Sequence, residues 1–151
     1  MLFRGRILRN LDSKGRLMLP QEITSVLLSN APGGKMLLTS FIDKCIAIYT
    51  TKHWNEVLEK ELSDLNILKP TLRNLQRIMT GGAEEIQADA QGRIRIPKAL
   101  MEYAGIKDSV VLVGQPERIE LWQPDRLAAE PINHDFDDLA GCLGEERTLH
   151  L

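Results

Sequence analysis

Hydrophobic and polar positions follow the same order twice along this chain. Phe3 to Leu11 reads as a strand, with Phe3, Gly5, Ile7 and Arg9 on one face and Arg4, Arg6 and Leu8 on the other. Lys14-Gly15 supplies a turn, and Leu17-Met18-Leu19 is a second short strand, so the spacing predicts a hairpin with Lys14 and Arg16 beside its tip. Pro20 suits the first turn of a helix, on which Ile23, Val26, Leu27 and Asn30 share a face before Ala31-Pro32-Gly33-Gly34 breaks it. Met36 to Ser40 and Cys45 to Tyr49 are apolar strands around an Asp43-Lys44 turn. The second round opens with a strand over Glu84 to Ala88, a Gln91-Gly92 turn and a strand over Arg93 to Ile96. A helix from Pro97 carries Leu100, Met101 and Ala104 inward and stops at Gly105. Val110 to Val113 is fully apolar, Gln115-Pro116-Glu117 turns, and Arg118 to Trp122 alternates as a half-buried strand does.

Between the two rounds lie two helical patterns. The first begins near Thr51, whose hydroxyl can cap it, and places Trp54, Val57, Leu58, Leu62 and Leu65 at helical spacing, with Glu61 as an acidic exception. The second starts at Lys69-Pro70, turns Leu72, Leu75, Ile78 and Met79 inward and Arg73 and Arg77 outward, and stops at Gly81-Gly82. The most specific feature is local: Asp12-Ser13-Lys14-Gly15-Arg16 returns as Asp89-Ala90-Gln91-Gly92-Arg93, an offset of 77 residues, with proline four residues after each arginine. The chain is thus a duplicated α+β protein, mainly β. Its units span 1–51 and 83–130, a helical hairpin fills 52–82, and 131–151 forms an acidic, frayed or disordered tail. A unit of this size is marginal alone, near the floor of roughly 40 residues for unaided folding, so pairing of the units or oligomerisation is expected.

Composition narrows the class. A hydrophobic content of 43% and a charged content of 26% are those of a globular domain, and no apolar run approaches the ~20 residues of a membrane span. Met1 to Arg6 has no secretory apolar region, so a cytoplasmic protein is expected, with Cys45 and Cys142 as free thiols. The net charge of −2 hides an asymmetry. Residues 1–20 carry Arg4, Arg6, Arg9, Lys14 and Arg16 against Asp12 alone, a net of +4, and residues 131–151 carry a net of −4. The positive field at the N-terminal end suits a polyanion.

No catalytic pattern accompanies it. His53, His134 and His150 are isolated, and there is no nucleophile elbow, phosphate loop or dinucleotide fingerprint. Asp135-Phe136-Asp137-Asp138 reads as a solvated run rather than a metal site. No enzyme, metal, cofactor or small-molecule substrate is expected. The loops carry the chemistry that remains. Arg16 offers a planar fork for guanine O6 and N7 or for a phosphate, Lys14 is a point charge for the DNA backbone, and Asp12 can orient Arg16 across Gly15. The alternative is an Asp–Arg pair that only pins the turn. In the second loop, where Gln91 replaces the lysine and Glu84, Glu85 and Asp89 are acidic, that structural role is favoured for Asp89, Gly92 and Arg93.

Over about residues 1–130 the chain resembles the MraZ family of bacterial transcriptional regulators, built from two AbrB-like (SpoVT–AbrB) units, small and β-barrel-like. The matching runs are Phe3-Arg4-Gly5, Leu11 to Leu17 with Pro20, Asp89 with Gly92-Arg93, Tyr103-Ala104-Gly105, Val111 to Gln115 and Glu120-Leu121-Trp122. The resemblance implies a repressor of the division and cell-wall gene cluster, its own operon included. Such a protein binds direct repeats in promoter DNA as a ring-shaped homo-oligomer and works in the cytoplasm on the nucleoid. Asp12 and Arg16, and Asp89 and Arg93, match the ends of the family's DNA-facing loop motif, and Lys14 the basic residue within it. The chain departs from the family where arginines usually follow the first proline, reading Gln21-Glu22-Ile23-Thr24 instead, and again at Met101.

The leading expectation is a DNA-binding regulator reading with Lys14 and Arg16, helped by Arg4, Arg6 and Arg9 on phosphates and by Arg93. The competing one is a homo-oligomeric assembly or protein-interaction module in which DNA binding is weak or lost.

Overall fold

Each repeat completes its sheet with a strand of the other. In the computed structural model, which describes residues 3–29, 34–130 and 150–151, the first repeat contributes β1 (Arg6–Asn10), β2 (Arg16–Met18), α1 (Gln21–Ser29), β3 (Lys35–Phe41) and β4 (Cys45–Thr50). The second contributes β5 (Glu84–Gln87), β6 (Arg93–Arg95), α5 (Lys98–Ala104), β7 (Ser109–Gly114) and β8 (Ile119–Trp122). Between them, α2 (Thr51–His53) runs through a π-helical turn at Trp54–Leu58 into α3 (Glu59–Ser63), and α4 (Pro70–Met79) returns. A short α6 (Pro124–Ala129) follows β8. The strands form a six-stranded antiparallel sheet in the order β1-β7-β8-β4-β3-β5 and a two-stranded sheet β2-β6. Exchanging the repeats reverses the first order and preserves both sheets, so the fold has an internal pseudo-twofold axis between β4 and β8.

This corrects the expected local hairpin. β1 does not pair with β2; it pairs with β7, Arg6 opposite Val113 through Asn10 opposite Ser109, while β2 crosses to β6. The reason is burial. The apolar β7 gives β1 five paired positions backed by Val110 and Leu112, both fully buried, whereas β2 has only three residues and uses Leu17 to close the core against Ile94. Burying one such side chain is worth about 1.5–3 kcal/mol, which outweighs the small cost of closing a longer loop.

The six-stranded sheet is covered on both faces. One face carries Met36, Leu38, Ile46, Ile48, Val110, Leu112, Ile119 and Leu121, sealed by Leu17 and Ile94 from the small sheet and by Ile23, Leu27 and Leu100 from the helices α1 and α5. The other face packs Phe41, Ala47, Tyr49, Val113 and Trp122 against Trp54, Leu58, Leu62 and Met79 of the helical hairpin. β8 is consequently buried at every position rather than alternating. The turn at Asp43-Lys44 is as expected, both residues adopting positive φ. Thr50, not Thr51, caps α2, its hydroxyl accepting from the His53 N–H at 3.0 Å. The last carbonyls of α4 lack partners within the helix. Thr39 of β3 donates to Met79 O, and Ser40 donates to Ile78 O, which also accepts from the Gly82 N–H at 3.2 Å.

A polar knot crosses the second face. The Arg118 guanidinium donates to Glu120 Oε2 through Nε at 2.8 Å and Nη2 at 2.6 Å, and the Trp122 indole donates to Glu120 Oε1 at 2.9 Å. Arg118 also lies 4.3 Å from the centroid of the Phe41 ring and donates to Leu151 O at 3.0 Å. Thus His150-Leu151 docks on the body, although the sequence reads as a frayed end there. The His150 N–H donates to Glu61 Oε2 at 2.9 Å, its Nδ1 lies 2.5 Å from Glu61 Oε1, and its carbonyl lies 2.7 Å from Nε2 of His53. His53 and His150, expected to be isolated, therefore meet. The expectations for Asn30, Ala31-Pro32-Gly33, His134, Cys142, the Asp135–Asp138 run and residues 131–149 lie outside the described residues.

The docked histidine carries a pH signature. Its hydrogen bond and charge contact with Glu61 raise the pKa of His150 above the ordinary 6.5, and Glu117 adds to this. Burial pushes Glu61 up, but His150 outweighs it and the net shift is downward. A raised histidine pKa contributes stability that is complete below the unfolded value and is lost as pH rises through the folded one. Docking of the last two residues should therefore weaken toward alkaline pH. A ring-proton NMR titration should find His150 above 6.5 in the native chain and close to 6.5 in Glu61→Gln. Equal values in both would contradict the pairing.

Candidate nucleic-acid interface

The two loops are built from one design. Asp12 closes its turn through backbone bonds, Gly15 N–H to Asp12 O at 3.0 Å and Asp12 N–H to Arg16 O at 2.9 Å. Its side chain then accepts from the N–H groups of Lys14 and Arg16, both at 2.9 Å on Oδ1, and from the Arg16 Nε at 2.8 Å on Oδ2. Asp89 repeats the pattern with Gln91 and Arg93, at 2.9, 2.9 and 2.7 Å. Gly15 and Gly92 sit at φ +74° and +80°, a conformation that a side chain disfavours. Aspartate is needed because its short carboxylate reaches two N–H groups and a guanidinium at once; asparagine has a single oxygen and no charge.

This clamp fixes the guanidinium by one edge only. Nε of Arg16 is committed to Asp12, and among the described residues Nη1 and Nη2 have no partner. The free pair is the fork that fits guanine or a phosphate. The Arg16 N–H holds the Asp12 carboxyl below the usual carboxylate range, and the guanidinium and the Lys14 N–H reinforce it; Asp89 is lowered in the same way by Arg93 and Gln91. A depressed carboxylate keeps its contribution above the ordinary value and loses it only as pH falls through the lowered one, so the clamp stays whole across the neutral range.

The expected site residues fall into groups. Lys14 and Arg16 stand together at the first loop, and Arg93 stands alone at the second with the neutral Gln91. Arg9 is three residues before Asp12 on β1, whereas Arg6 and Arg4 are further back, Arg6 about 20 Å of extended chain from the loop. All three are exposed; Arg6 and Arg9 lie on β1, an edge strand, and Arg4 lies just before it. The neighbours of each loop were not legible, because they come from the other repeat. Lys14 and Gly15 line a cleft of about 570 Å³ with Arg95, Lys98 and Met101. Gly92 faces Thr24 of α1, and its carbonyl accepts from the Leu19 N–H at 3.2 Å. Gln21 and Glu22, which interrupt the family pattern, thus belong to the helix beside the second loop. Among the described residues no cluster of His, Cys, Asp and Glu is arranged to hold a metal, and no helix is long and apolar enough to cross a membrane.

Comparison with known proteins agrees with this layout. The family described as "MraZ protein, putative antitoxin-like" matches residues 2–78 and again 79–129, one match per repeat. The chain is similar to proteins named transcriptional regulator MraZ. It is 46% identical to that of Nitratidesulfovibrio vulgaris strain Hildenborough over 145 residues, 96% of this chain and 95% of the relative. It is 44% identical to that of strain Miyazaki F over the same length and shares. With that of Escherichia coli K12 it shares 40% identity over 136 residues, 90% of this chain and 88% of the relative.

Proposed function

The chain belongs to the MraZ family of transcriptional regulators, and from that membership we propose that it is a sequence-specific repressor of double-stranded DNA. Its targets are direct repeats in the promoter of the division and cell-wall gene cluster, its own operon included. It binds them as a ring-shaped homo-oligomer, in the cytoplasm and on the nucleoid. The observation that carries this reading is the first loop, where Asp12 holds Arg16 by Nε and leaves both Nη groups unpaired beside Lys14. A fixed fork loses little entropy on meeting a base edge, so the cost of reading is met during folding.

In this account Arg16 reads the major groove and Lys14 meets a flanking phosphate. Arg6 and Arg9 of β1, with Arg4 just before it, add phosphate contacts. Asp12 and Gly15 shape the reader, and Asp89 and Gly92 shape the weaker second loop around Arg93. One loop is a modest module. Several held in a ring with matching spacing engage successive repeats as tethered events, which raises overall affinity without new contacts.

The test is binding of the full-length protein to a fluorescein-labelled duplex from immediately upstream of its own gene, followed by anisotropy across a salt series. Log affinity should fall linearly with log salt, with a slope of roughly −0.9 per phosphate contacted. The triple variant Arg4→Ala/Arg6→Ala/Arg9→Ala should weaken binding to all sequences alike and flatten that slope. Absence of saturable, salt-sensitive binding in the native chain would overturn the proposal in favour of an assembly module.

A further inference from the structure

We infer that the reader at the first loop is completed by the second repeat, with Arg95 as a further DNA-contacting residue and Lys98 as a phosphate contact beside it. The inference rests on the reading of Asp12–Arg16 as the DNA-facing loop and adds to it what the strand exchange brings there.

The small sheet fixes the geometry. β2 and β6 run antiparallel with Arg16 opposite Arg95, Leu17 opposite Ile94 and Met18 opposite Arg93. Leu17 and Ile94 are 0% and 1% exposed and point into the core. The period of two therefore puts Arg16, Met18, Arg93 and Arg95 on the outward face of the ribbon. A two-stranded ribbon is narrow enough to enter a major groove about 12 Å wide. Directly opposed residues have Cβ atoms about 5 Å apart, and like charges so placed repel. Arg95 is exposed and, among the described residues, its side chain makes no hydrogen bond or ion pair; Asp12 clamps Arg16, and no carboxylate is paired to Arg95 itself. A polyanion laid across the ribbon would offset the repulsion.

The cleft beside the loop extends the same charge. Lys14, Arg95 and Lys98 share it with Glu84 and Glu85, and Glu85 is turned to Lys35 at 3.3 Å. The pseudo-twofold axis supplies an internal comparison at the offset of 77. The counterpart of Lys14 is Gln91, that of Arg95 is Met18, and that of Lys98 is Gln21. The first loop therefore gathers four cations, Lys14 and Arg16 from one repeat and Arg95 and Lys98 from the other, while the second has Arg93 alone among the matching positions. The arginines absent after Pro20 are thus absent from the weaker site.

The experiment is the same anisotropy titration with single variants, each checked by light scattering for unchanged assembly. Arg95→Ala should weaken binding to the upstream duplex on the order of tenfold. Lys98→Ala should weaken binding to the upstream and a scrambled duplex alike and flatten the salt slope by about one unit per engaged site. The mirror variant Gln21→Ala should leave affinity within about twofold of the native chain. If Arg16→Ala loses binding while Arg95→Ala and Lys98→Ala bind as the native chain does, the reader is confined to the first repeat and the inference is overturned, with the functional reading intact. If Arg16→Ala also binds normally, the reading of the loop fails and the inference with it.

Discussion

Arg16→Ala should remove sequence-specific binding to the upstream duplex, weakening it at least about a hundredfold, with the assembly unchanged by light scattering. One bidentate guanidinium–base contact is worth about 1–3 kcal/mol of discrimination, and in the proposed ring it is lost in every engaged protomer. The fold should not follow. The Asp12–Arg16 ion pair is partly exposed, with side chains 34% and 25% accessible, and such pairs contribute about 0–1 kcal/mol. Asp12 keeps the N–H groups of Lys14 and residue 16, so the turn persists. Arg16→Lys tests the chemistry more finely: it keeps the charge, loses the fork and the Nε clamp, and should retain salt-sensitive binding while losing preference for the upstream sequence. Unchanged preference in Arg16→Lys would mean that Arg16 acts only as a charge.

The largest stability effect is expected far from the loops, at Glu120. Its carboxylate is 9% accessible and bridges the Arg118 guanidinium, 17% accessible, to the Trp122 indole. Glu120→Ala leaves a half-buried guanidinium without its anion and an indole N–H without its acceptor, which costs about 3 kcal/mol, the lower end of the range for a buried pair. For a chain of this size that lowers Tm by about 10 °C at neutral pH, read by differential scanning calorimetry. Glu120→Gln keeps one acceptor oxygen, for the indole or for the guanidinium, and fills the volume, so it should lose less than Glu120→Ala. Replacing Arg118 and Glu120 together by apolar residues should recover much of the loss, because the pair repays its own desolvation only when both partners stay. A Glu120→Ala protein melting with the native chain would show that the knot is not holding the sheet to the C-terminal residues.

What could be read from the residues was what depends on near neighbours. The loop at Asp12–Arg16 was legible because aspartate, glycine and arginine act on one another within five positions, and the second copy made the pattern a unit. Helix faces such as Trp54-Leu58-Leu62 were legible from their period, and strands such as Cys45–Tyr49 from a short apolar run beside a turn. The pairing of β2 with β6 was not, since a three-residue strand carries no record of a partner 77 residues away. The same limit hid Arg95 and Lys98, Thr39 and Ser40 under α4, and Glu61 under His150. The helix at Pro124–Ala129 left a weak trace: proline at its first position and Gln123, whose side chain accepts from the Arg126 N–H at 2.7 Å. Arg118–Trp122 looked half-buried because Arg118 and Glu120 are charged; in the sheet those charges meet each other and leave solvent together.

The claim that the first loop is the reader is tested most directly by photocrosslinking from equivalent positions of the two loops. A photoreactive residue at Ser13 or at Ala90, each the second position of its loop, is irradiated with the upstream duplex bound to the full-length protein. Strong crosslinking from position 13, abolished by high salt, with little from position 90, is the result predicted. Crosslinking from position 90 that equals or exceeds that from position 13 would contradict it.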